Sequence, residues 1–400
     1  MPPLIGIDGR GLFQKNPTGI AKAFAHIYKN LIDIEPKLDY LIWNNQWKKT
    51  TPIETKNIIT TRLPNIFLHY GLWAFLPQPT LNFLINSIPI IVDRQLWEYG
   101  KITKTVTIEP RAWWLPNIAQ VRVQPKTKYL LTLHDLSFVI NPKWYPLRKQ
   151  LWHKFLRLKK LLNDATYIVC VSNEVKHSAM DLYKIPEKKL FVGRLAPTSF
   201  VVPSLPRTAG KLDTGKVGTQ TKAITQNSEF KTQNYYLHLA SNFKRKNTDG
   251  VIAAYKIYRA LSENPNDLIL VGDYKLKENI AGIKVLPYQL DETLPRLFQN
   301  ATALLYPSWY ESFGLPVLEA QKNNCPVIGS AVGSLPEIGA NSILYAQPWD
   351  TVGLAKLMAE FENNIEWQNK LREAGQKNIQ EYSWSKTAQL YHYLFWEILK

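Results

Sequence analysis

Short apolar runs alternate with helical spacings over the first two hundred residues of the chain. Residues 4–7, 130–133 and 167–171 each predict a buried strand, and residues 20–31 have the spacing of a helix. The polar pair at 172–173 is placed to cap a helix after the third of these strands. This alternation is typical of βα units around a parallel sheet.

A second series of the same kind begins at Tyr235. Its strands are predicted at 236–240, 268–271, 283–286, 303–306 and 327–328, and its helices near 248–261, 291–299, 315–323 and 351–360. A last, heavily aromatic helix is predicted at 385–399 and must pack against a large apolar surface. The pattern therefore predicts two α/β domains with a cleft between them. Ligands of open α/β sheets bind outside the carboxyl ends of the strands.

Two stretches interrupt this pattern. Residues 203–234 are polar and rich in Thr, Gln, Lys and Gly, which predicts an interdomain linker or an insertion. Residues 63–92 carry no Asp, Glu, Lys or Arg, but four prolines divide them into runs shorter than the about 20 apolar residues that a membrane-spanning helix needs. Helix and strand buried in the N-terminal domain are the favoured interpretation of 63–92, and an interfacial membrane segment is the alternative.

Composition and charge narrow the classes of partner. The chain has 400 residues, which predicts two domains. Its 49 Lys and Arg against 32 Asp and Glu give a net charge of +17, so nucleic acid, an anionic membrane or a phosphorylated substrate is an expected partner. Cys170 and Cys325 lie in apolar runs and are predicted to be buried free thiols, as in a reducing compartment. The first residues lack the basic and apolar regions of a secretory signal, so a cytoplasmic location is expected.

The segment 306–320 carries the richest chemistry. It ends a predicted strand, continues through a loop that holds a carboxylate and a glycine, and begins a helix with Pro316 near its first turn, where proline is tolerated. Glu311 and Glu319 accept hydrogen bonds only, which suits the hydroxyls of a sugar or a ribose. The backbone N–H groups at the start of this helix predict a phosphate site; they belong to Phe313, Gly314 and Leu315.

This segment resembles the E-x7-E signature of the retaining GT-B glycosyltransferases, specifically glycosyltransferase family 4. The similarity extends to 325–330, C-P-V-I-G-S, and to 333–337, G-S-L-P-E, and it covers the chain from about Tyr235 to Asp350. The resemblance implies that Glu311 contacts the donor sugar and that Glu319 holds the ribose. It also implies that the amides of Phe313, Gly314 and Leu315 bind the distal phosphate. Two solvated or capping glutamates at a helix start are the alternative.

A second set of candidate residues follows the strand predicted at 236–240. The run 241–247, S-N-F-K-R-K-N, resembles the R-K-N segment that the family carries after the first strand of its donor domain. Because Ser241 stands where many members have an arginine, the diphosphate leaving group is expected to be neutralised by Arg245 and Lys246. Taken alone, such a run is ordinarily a solvated charge cluster.

A third set lies in the N-terminal domain, where the resemblance is patchy and leaves 40–125 unmatched. His134, followed by Asp135, is similar to the family's H-D pair and is expected to donate to a phosphate or to the sugar; a histidine bonded to Asp135 is the alternative. Gly19 resembles the family's first glycine loop, which approaches the donor diphosphate. No D-x-D triplet and no His/Cys ligand cluster is present in the sequence, and the resemblance implies metal-independent transfer.

Residues 147–162 predict a basic amphipathic helix. Leucine and phenylalanine recur at helical spacing, and Lys and Arg occupy much of the remainder, which is typical of binding to a membrane surface. An ordinary surface helix whose apolar face packs on the sheet is the alternative. The residues expected at an acceptor or membrane surface are Arg148, Lys149, Trp152, Lys154, Arg157 and Lys160.

Together these observations predict a GT-B protein with an N-terminal acceptor domain, 1–202, and a C-terminal nucleotide-sugar domain, 235–382. Residues 383–400 are expected to return to the N-terminal domain. The expected activity is retaining, metal-independent transfer of a hexose such as mannose to a glycan or lipid-linked hydroxyl. The expected donor is a GDP-sugar first and a UDP-sugar second, with no other cofactor, in the cytoplasm or at the inner face of the membrane. A catalytically inactive GT-B scaffold and a basic nucleic-acid-binding protein are the competing classes.

Overall fold

The computed structural model describes residues 2–9, 19–44, 58–62, 110–118, 126–154, 156–197, 234–288 and 293–400. The predicted linker, apart from Asn234, and the uncharged stretch 63–92 lie outside these residues. The described chain forms two α/β domains, each built on one parallel sheet. No helix among the described residues is long and apolar enough to cross a membrane.

The N-terminal sheet has seven parallel strands in the order β3-β2-β1-β4-β5-β6-β7. In chain order its domain contains β1 (Leu4–Asp8), α1 (Gly19–Leu31), β2 (Asp39–Asn44), β3 (Ile58–Arg62), β4 (Ala112–Leu115), β5 (Tyr129–Leu133), α2 (Ser137–Ile140), α3 (Leu147–Lys154), α4 (Leu158–Asp164), β6 (Tyr167–Cys170), α5 (Asn173–Tyr183) and β7 (Leu190–Val192). Every residue of β1, β4 and β5 is buried, because helices cover both faces of a parallel sheet.

The C-terminal sheet has six parallel strands in the order β10-β9-β8-β11-β12-β13. Its elements are β8 (Tyr235–Ser241), α6 (Thr248–Leu261), β9 (Asp267–Asp273), β10 (Ile283–Leu286), α7 (Leu294–Asn300), β11 (Ala301–Tyr306), α8 (Leu315–Lys322), β12 (Val327–Ser330), α9 (Leu335–Gly339), β13 (Leu344–Ala346), α10 (Thr351–Glu362), α11 (Ile365–Ile379) and α12 (Trp384–Leu399). All five strands predicted for this half are present. Helix α11 was not predicted, and neither was α9.

Helix α12 returns to the N-terminal sheet, as predicted. Its apolar side, Tyr391, Leu394, Phe395 and Ile398, is buried in one core with Phe24 of α1 and Trp114 of β4. The Tyr391 hydroxyl also shares a 2.7 Å hydrogen bond with Oγ1 of Thr132 in β5. Burying a large apolar side chain contributes roughly 1.5–3 kcal/mol, so this helix ties the C-terminal part of the chain firmly to the N-terminal domain.

The prediction of one continuous helix over 147–162 is wrong. The chain forms two helices, α3 and α4, because Arg157 adopts the left-handed conformation with φ 47° and cannot continue a right-handed helix. From Leu156 onward the leucines turn into the core, and Leu158, Leu161 and Leu162 are buried there. In α3, by contrast, Leu147 is 76% exposed and Leu151 is 54% exposed. The two leucine sets therefore face different surroundings and form no single stripe.

Two smaller predictions are confirmed. The Ser172 hydroxyl accepts a hydrogen bond from the N–H of Val175 at 3.2 Å and caps α5. Cys170 and Cys325 are both free and buried.

Candidate active site

The predicted cations and the predicted glutamate meet because β8 and β11 are neighbouring parallel strands. A 3-10 turn, Lys244–Lys246, follows β8, and the loop 307–314 follows β11. Carboxyl ends of parallel strands share one edge of the sheet, so both segments emerge at that edge. This is the position at which open α/β sheets bind their ligands.

Glu311 stands between the two cations. Nη1 of Arg245 donates to Oε2 of Glu311 at 2.7 Å, and Nζ of Lys246 donates to Oε1 at 2.7 Å. Arg245 also donates to the carbonyl of Tyr310 at 2.7 Å, and Lys246 donates to the Tyr306 hydroxyl at 2.7 Å. We call Arg245, Lys246 and Glu311 the three-charge cluster.

Burial and pairing act in opposite directions on the ionisation of this cluster. Burial raises the pKa of Glu311, but the charges of Arg245 and Lys246 outweigh it and bring the pKa to about 2. Burial lowers the pKa of Lys246, against the opposing charge of Glu311. Glu311 is therefore a carboxylate at neutral pH. With both cations charged, the cluster carries one net positive charge, which suits an anionic ligand.

The start of α8 adds a second group of donors. Gly314 precedes the helix with φ 97°, and a Cβ there would lie 2.6 Å from Cδ2 of Leu335, so only glycine fits. No side chain caps this helix. Among the described residues, none accepts a hydrogen bond from the N–H groups of Phe313, Gly314 and Leu315. Glu319 lies half-buried one turn into α8. The pKa of Tyr306 is raised mainly by burial and by the charge of Glu311, and Glu319 is close enough to raise it further.

The N-terminal domain holds the loop that carries Glu311. The Ser312 hydroxyl donates to Oδ1 of Asp135 at 2.6 Å, and the Ser172 hydroxyl donates to the Ser312 carbonyl at 2.6 Å. Asp135 also accepts from the N–H and the hydroxyl of Ser137 at 2.7 and 2.8 Å. The residue next to Glu311 is thus bonded from the opposite domain on both its side chain and its backbone.

A second cross-domain contact lies at the start of α5. Glu337, in the G-S-L-P-E loop, accepts from the backbone N–H of Asn173 at 2.9 Å and from its side-chain amide at 3.0 Å. A carboxylate at a helix N-terminus is electrostatically favourable. Arg194 donates to the same carboxylate at 3.3 Å. Sequence reasoning predicted none of these contacts, although it singled out the 172–173 pair, G-S-L-P-E and Asp135 beside His134.

His134 is buried, and its Nε2 lies 2.9 Å from the carbonyl of Pro116. A carbonyl can only accept, so Nε2 carries the proton and Nδ1 is the acceptor. Burial lowers the pKa of His134 to about 4, with the Pro116 hydrogen bond and Asp135 acting in the opposite direction. The ring is therefore neutral at neutral pH, and the structure bonds it to Pro116 rather than to Asp135.

The remaining predicted residues do not join the cluster. Gly19 is the first residue of α1, and residues 10–18 before it lie outside the described residues. Nζ of Lys149 lies 4.4 Å from the ring centre of Phe243 in the C-terminal domain, a cation–π contact across the cleft. Lys154, Arg157 and Lys160 line an open groove of about 690 Å³ beside α4. Arg148 and Trp152 lie in α3.

Within the described part of the chain, no group of three or more His, Cys, Asp or Glu side chains is arranged to hold a metal ion. The donor set of the site is cationic side chains and backbone amides.

The chain is similar to known glycosyltransferases. Residues 219–378 match the family model Glycosyl transferases group 1. The chain is 26% identical over 328 residues to the O-antigen chain mannosyltransferase B of Escherichia coli, covering 79% of this chain and 80% of that protein. It is 24% identical over 299 residues to the O-antigen chain mannosyltransferase RfbU of Salmonella typhimurium, covering 68% of this chain and 74% of that protein.

The fold has relatives among solved structures. The sucrose-phosphate synthase of Thermosynechococcus elongatus superposes with a TM-score of 0.66 at 16% identity and covers 99% of both chains. The architecture, two parallel α/β domains joined across a cleft, is GT-B.

Proposed function

We propose that this glycosyltransferase, which carries a Glycosyl transferases group 1 domain on a GT-B framework, transfers a hexose from a nucleotide diphosphate sugar to a hydroxyl of a glycan or lipid-linked acceptor. Mannose is the proposed sugar because two curated relatives are mannosyltransferases, and both are named as O-antigen chain enzymes. GDP-mannose is the first candidate donor and a UDP-sugar the second. A growing surface polysaccharide of the O-antigen type is the proposed acceptor.

The observation that carries this proposal is the three-charge cluster beside the uncapped start of α8. Departure of a nucleoside diphosphate develops negative charge on phosphate oxygens, and preorganised donors lower that barrier most effectively. Arg245, Lys246 and the amides at 313–315 supply such donors without a metal ion. Glu311 would accept from hydroxyls of the donor sugar, and Glu319 from the ribose. We propose transfer with retention of configuration and without a covalent enzyme intermediate.

His134 takes a narrower role in this proposal. Its Nε2–H is engaged by Pro116 and its ring is neutral, so the free Nδ1 can accept a hydrogen bond but adds no positive charge. A hydroxyl of the sugar or of the acceptor suits such an acceptor better than a phosphate oxygen does. We therefore assign His134 to orientation of a hydroxyl group.

Binding and transfer assays distinguish a glycosyltransferase from an inactive GT-B scaffold and from a nucleic-acid-binding protein. Thermal shifts with GDP, UDP and ADP would identify the nucleotide, since a bound ligand stabilises the folded state. Transfer from a panel of nucleotide sugars, with and without EDTA, would identify the sugar and test metal independence. Absence of transfer and of nucleotide binding, with salt-dependent binding to generic DNA, would contradict the proposal in favour of the nucleic-acid class.

Variants test the residue assignments. Lys246→Ala and Glu311→Gln are each expected to lower transfer by about 100-fold or more, the usual cost of losing one preorganised donor or partner at a developing charge. Lys256→Ala is the matched control, because Lys256 pairs with Glu278 on the surface of the same domain. Near-wild-type transfer by either site variant would remove that residue from the mechanism.

We further propose peripheral contact with an anionic membrane through α3 and the groove beside α4. The exposed Leu147 and Leu151 and the cations Lys154, Arg157 and Lys160 support it. Reversing the charge of these three cations to Glu should weaken sedimentation with anionic liposomes. Reversing Lys275, Lys277 and Lys284, which are exposed in the other domain, is the control. Equal binding by both triple variants would favour an ordinary solvated surface.

A further inference from the structure

Two exposed tryptophans stack on one another near the three-charge cluster. Trp309 is 37% exposed and Trp349 is 63% exposed, and their ring centres are 6.4 Å apart with planes inclined by 24°. Trp309 comes three residues after the end of β11, and Trp349 comes three residues after the end of β13. Both therefore stand at the carboxyl edge of the sheet. We call this pair the aromatic platform.

Asn247 links the two loops that carry the aromatic platform. Its buried side-chain amide donates to the carbonyl of Pro307 at 2.9 Å and to the carbonyl of Pro348 at 2.7 Å, so both of its N–H groups are used. The backbone N–H of Trp309 donates to the carbonyl of Arg245 at 2.8 Å. The two loops that carry the indoles are thus bonded to the turn that carries the site cations. Exposed aromatic groups on loops fixed in this way lose little freedom when they bind a ligand.

The platform lies beside the cluster. The backbone N–H of Trp309 donates to the carbonyl of Arg245, and Trp309 is two residues before Glu311 in the same loop. A ligand on the platform would therefore lie next to the proposed donor site.

The chemistry of two indoles selects the kind of ligand. Each indole offers a flat apolar face and one N–H donor at its edge. A pyranose ring has the matching character, since C–H groups form an apolar face and hydroxyls surround it. Beside a glycosyltransferase site, such a ring belongs to the glycan.

We propose that Trp309 and Trp349 form a glycan subsite that stacks a pyranose unit of the acceptor next to the transfer site. This inference rests on the proposed function. It adds a specificity that the cluster alone lacks: acceptors longer than one sugar gain the stacking contact, whereas a monosaccharide acceptor does not reach it.

The test compares acceptors of different length in Trp309→Ala, Trp349→Ala and the double variant, with methyl α-mannoside and mannotetraose as probes and GDP-mannose as donor. In the double variant, kcat/KM for mannotetraose should fall about tenfold, the sum of two aromatic contacts, while kcat/KM for methyl α-mannoside stays within about twofold. Trp367→Ala is the matched control, because Trp367 on α11 is 38% exposed and carries no part of the platform.

Binding measurements separate the other outcomes. Titration calorimetry should show weaker mannotetraose binding in the double variant and unchanged GDP binding. Equal losses for both acceptors, no loss for either, or weaker GDP binding would overturn the subsite, the last in favour of a base-stacking role. If the wild-type protein turns over no GDP-mannose, the proposed donor fails, and the calorimetric comparison still decides the platform: no binding of mannotetraose would overturn it.

Discussion

Two basic segments of this molecule have similar composition and opposite environments. In the turn Lys244–Lys246, Arg245 and Lys246 both bond the buried carboxylate of Glu311. These three side chains lie at the carboxyl edge of the C-terminal sheet. The segment from α3 to α4 places its cations in solvent along an open groove, where Lys160 pairs with Asp164 on the surface. The two segments differ because only the first has a buried counter-charge, Glu311, which comes from a distant part of the chain. The density of charged residues along the sequence does not reveal this difference.

The positive residues behind the net charge of +17 therefore fall into two groups, those paired at the candidate site and those exposed on the surface. Cations that are mostly withdrawn from water must be paired, because desolvation of an isolated charge is costly. Glu311 fulfils that requirement for Arg245 and Lys246, whose side chains are 17% and 20% exposed. Exposed cations need no such partner because water solvates them, and they attract anions at long range. The turn Lys244–Lys246 thus holds its charges at one ligand position. The segment from α3 to α4 instead produces a positive electrostatic potential spread over the surface.

Removing the shared carboxylate should have the largest effect on stability. Glu311→Ala leaves two mostly buried cations beside each other without the carboxylate that both of them bond, which should lower the free energy of unfolding by about 3–5 kcal/mol. Urea unfolding measures this loss. Glu311→Gln keeps the size and one acceptor, and serves as the milder variant if the alanine protein does not fold. A loss below 1 kcal/mol for both would mean that the pairing in the cluster contributes little.

The contact between the domains should come next. Asp135→Ala leaves the Ser312 hydroxyl and two groups of Ser137 without their acceptor, and hydrogen bonds to charged groups contribute about 1.5–3 kcal/mol. Because Ser312 is next to Glu311, transfer should also fall, mainly through kcat. Asp181→Ala, an exposed position on α5, is the control. Equal transfer by the two variants would separate the interdomain bond from the chemistry.

Much of the fold, but not all of it, was predictable from the sequence. The apolar runs predicted the buried strands of the second sheet, because a parallel sheet covered on both faces needs continuous apolar segments. The strands β2, β3 and β4 were missed; β4 consists of A-W-W-L, whose two tryptophans give no strand-specific period. The break at Arg157 was missed because it depends on Leu156 and Leu158 finding the core, which is a tertiary event.

The candidate site shows the same limit. Arg245, Lys246 and Glu311 were each predicted from motifs, but their mutual pairing joins residues 65 and 66 positions apart. Asp135 and Ser312 are 177 positions apart and belong to different domains. No local pattern encodes such a contact. The sequence supplies the chemical groups, and the order of strands in the sheet decides which of them meet.

The pH dependence of stability should report on buried groups and not on the surface cations. Burial lowers the pKa of His134 and His238 to about 4, whereas the unfolded value is about 6.5. Below pH 6.5 the unfolded chain binds protons that the folded chain does not, so stability falls as the pH drops from 6.5 toward 4. At pH 5.5 the loss should be on the order of 1 kcal/mol for each histidine.

Unfolding midpoints between pH 7.5 and 5 measure this loss. His238→Gln should reduce the slope, since one imidazole whose pKa is lowered by burial is gone. His177→Gln, at an exposed position of α5, should leave the slope unchanged. A profile that is flat down to pH 5 would show that these rings are protonated in the folded protein or that their burial is relieved.

The surface pair of the basic groove should give the smallest effect. Nζ of Lys160 donates to Asp164 at 2.6 Å, one turn apart on α4, and both side chains remain well exposed. Such a pair gains little Coulomb energy in water and must immobilise two flexible side chains, so Asp164→Ala should change the free energy of unfolding by about 0.5 kcal/mol or less. The difference should shrink further in 0.5 M salt, which screens exposed charges but leaves the buried cluster almost unaffected. A loss comparable to that of Glu311→Ala would abolish the distinction between the two basic segments, because it would show that the groove also depends on fixed pairing.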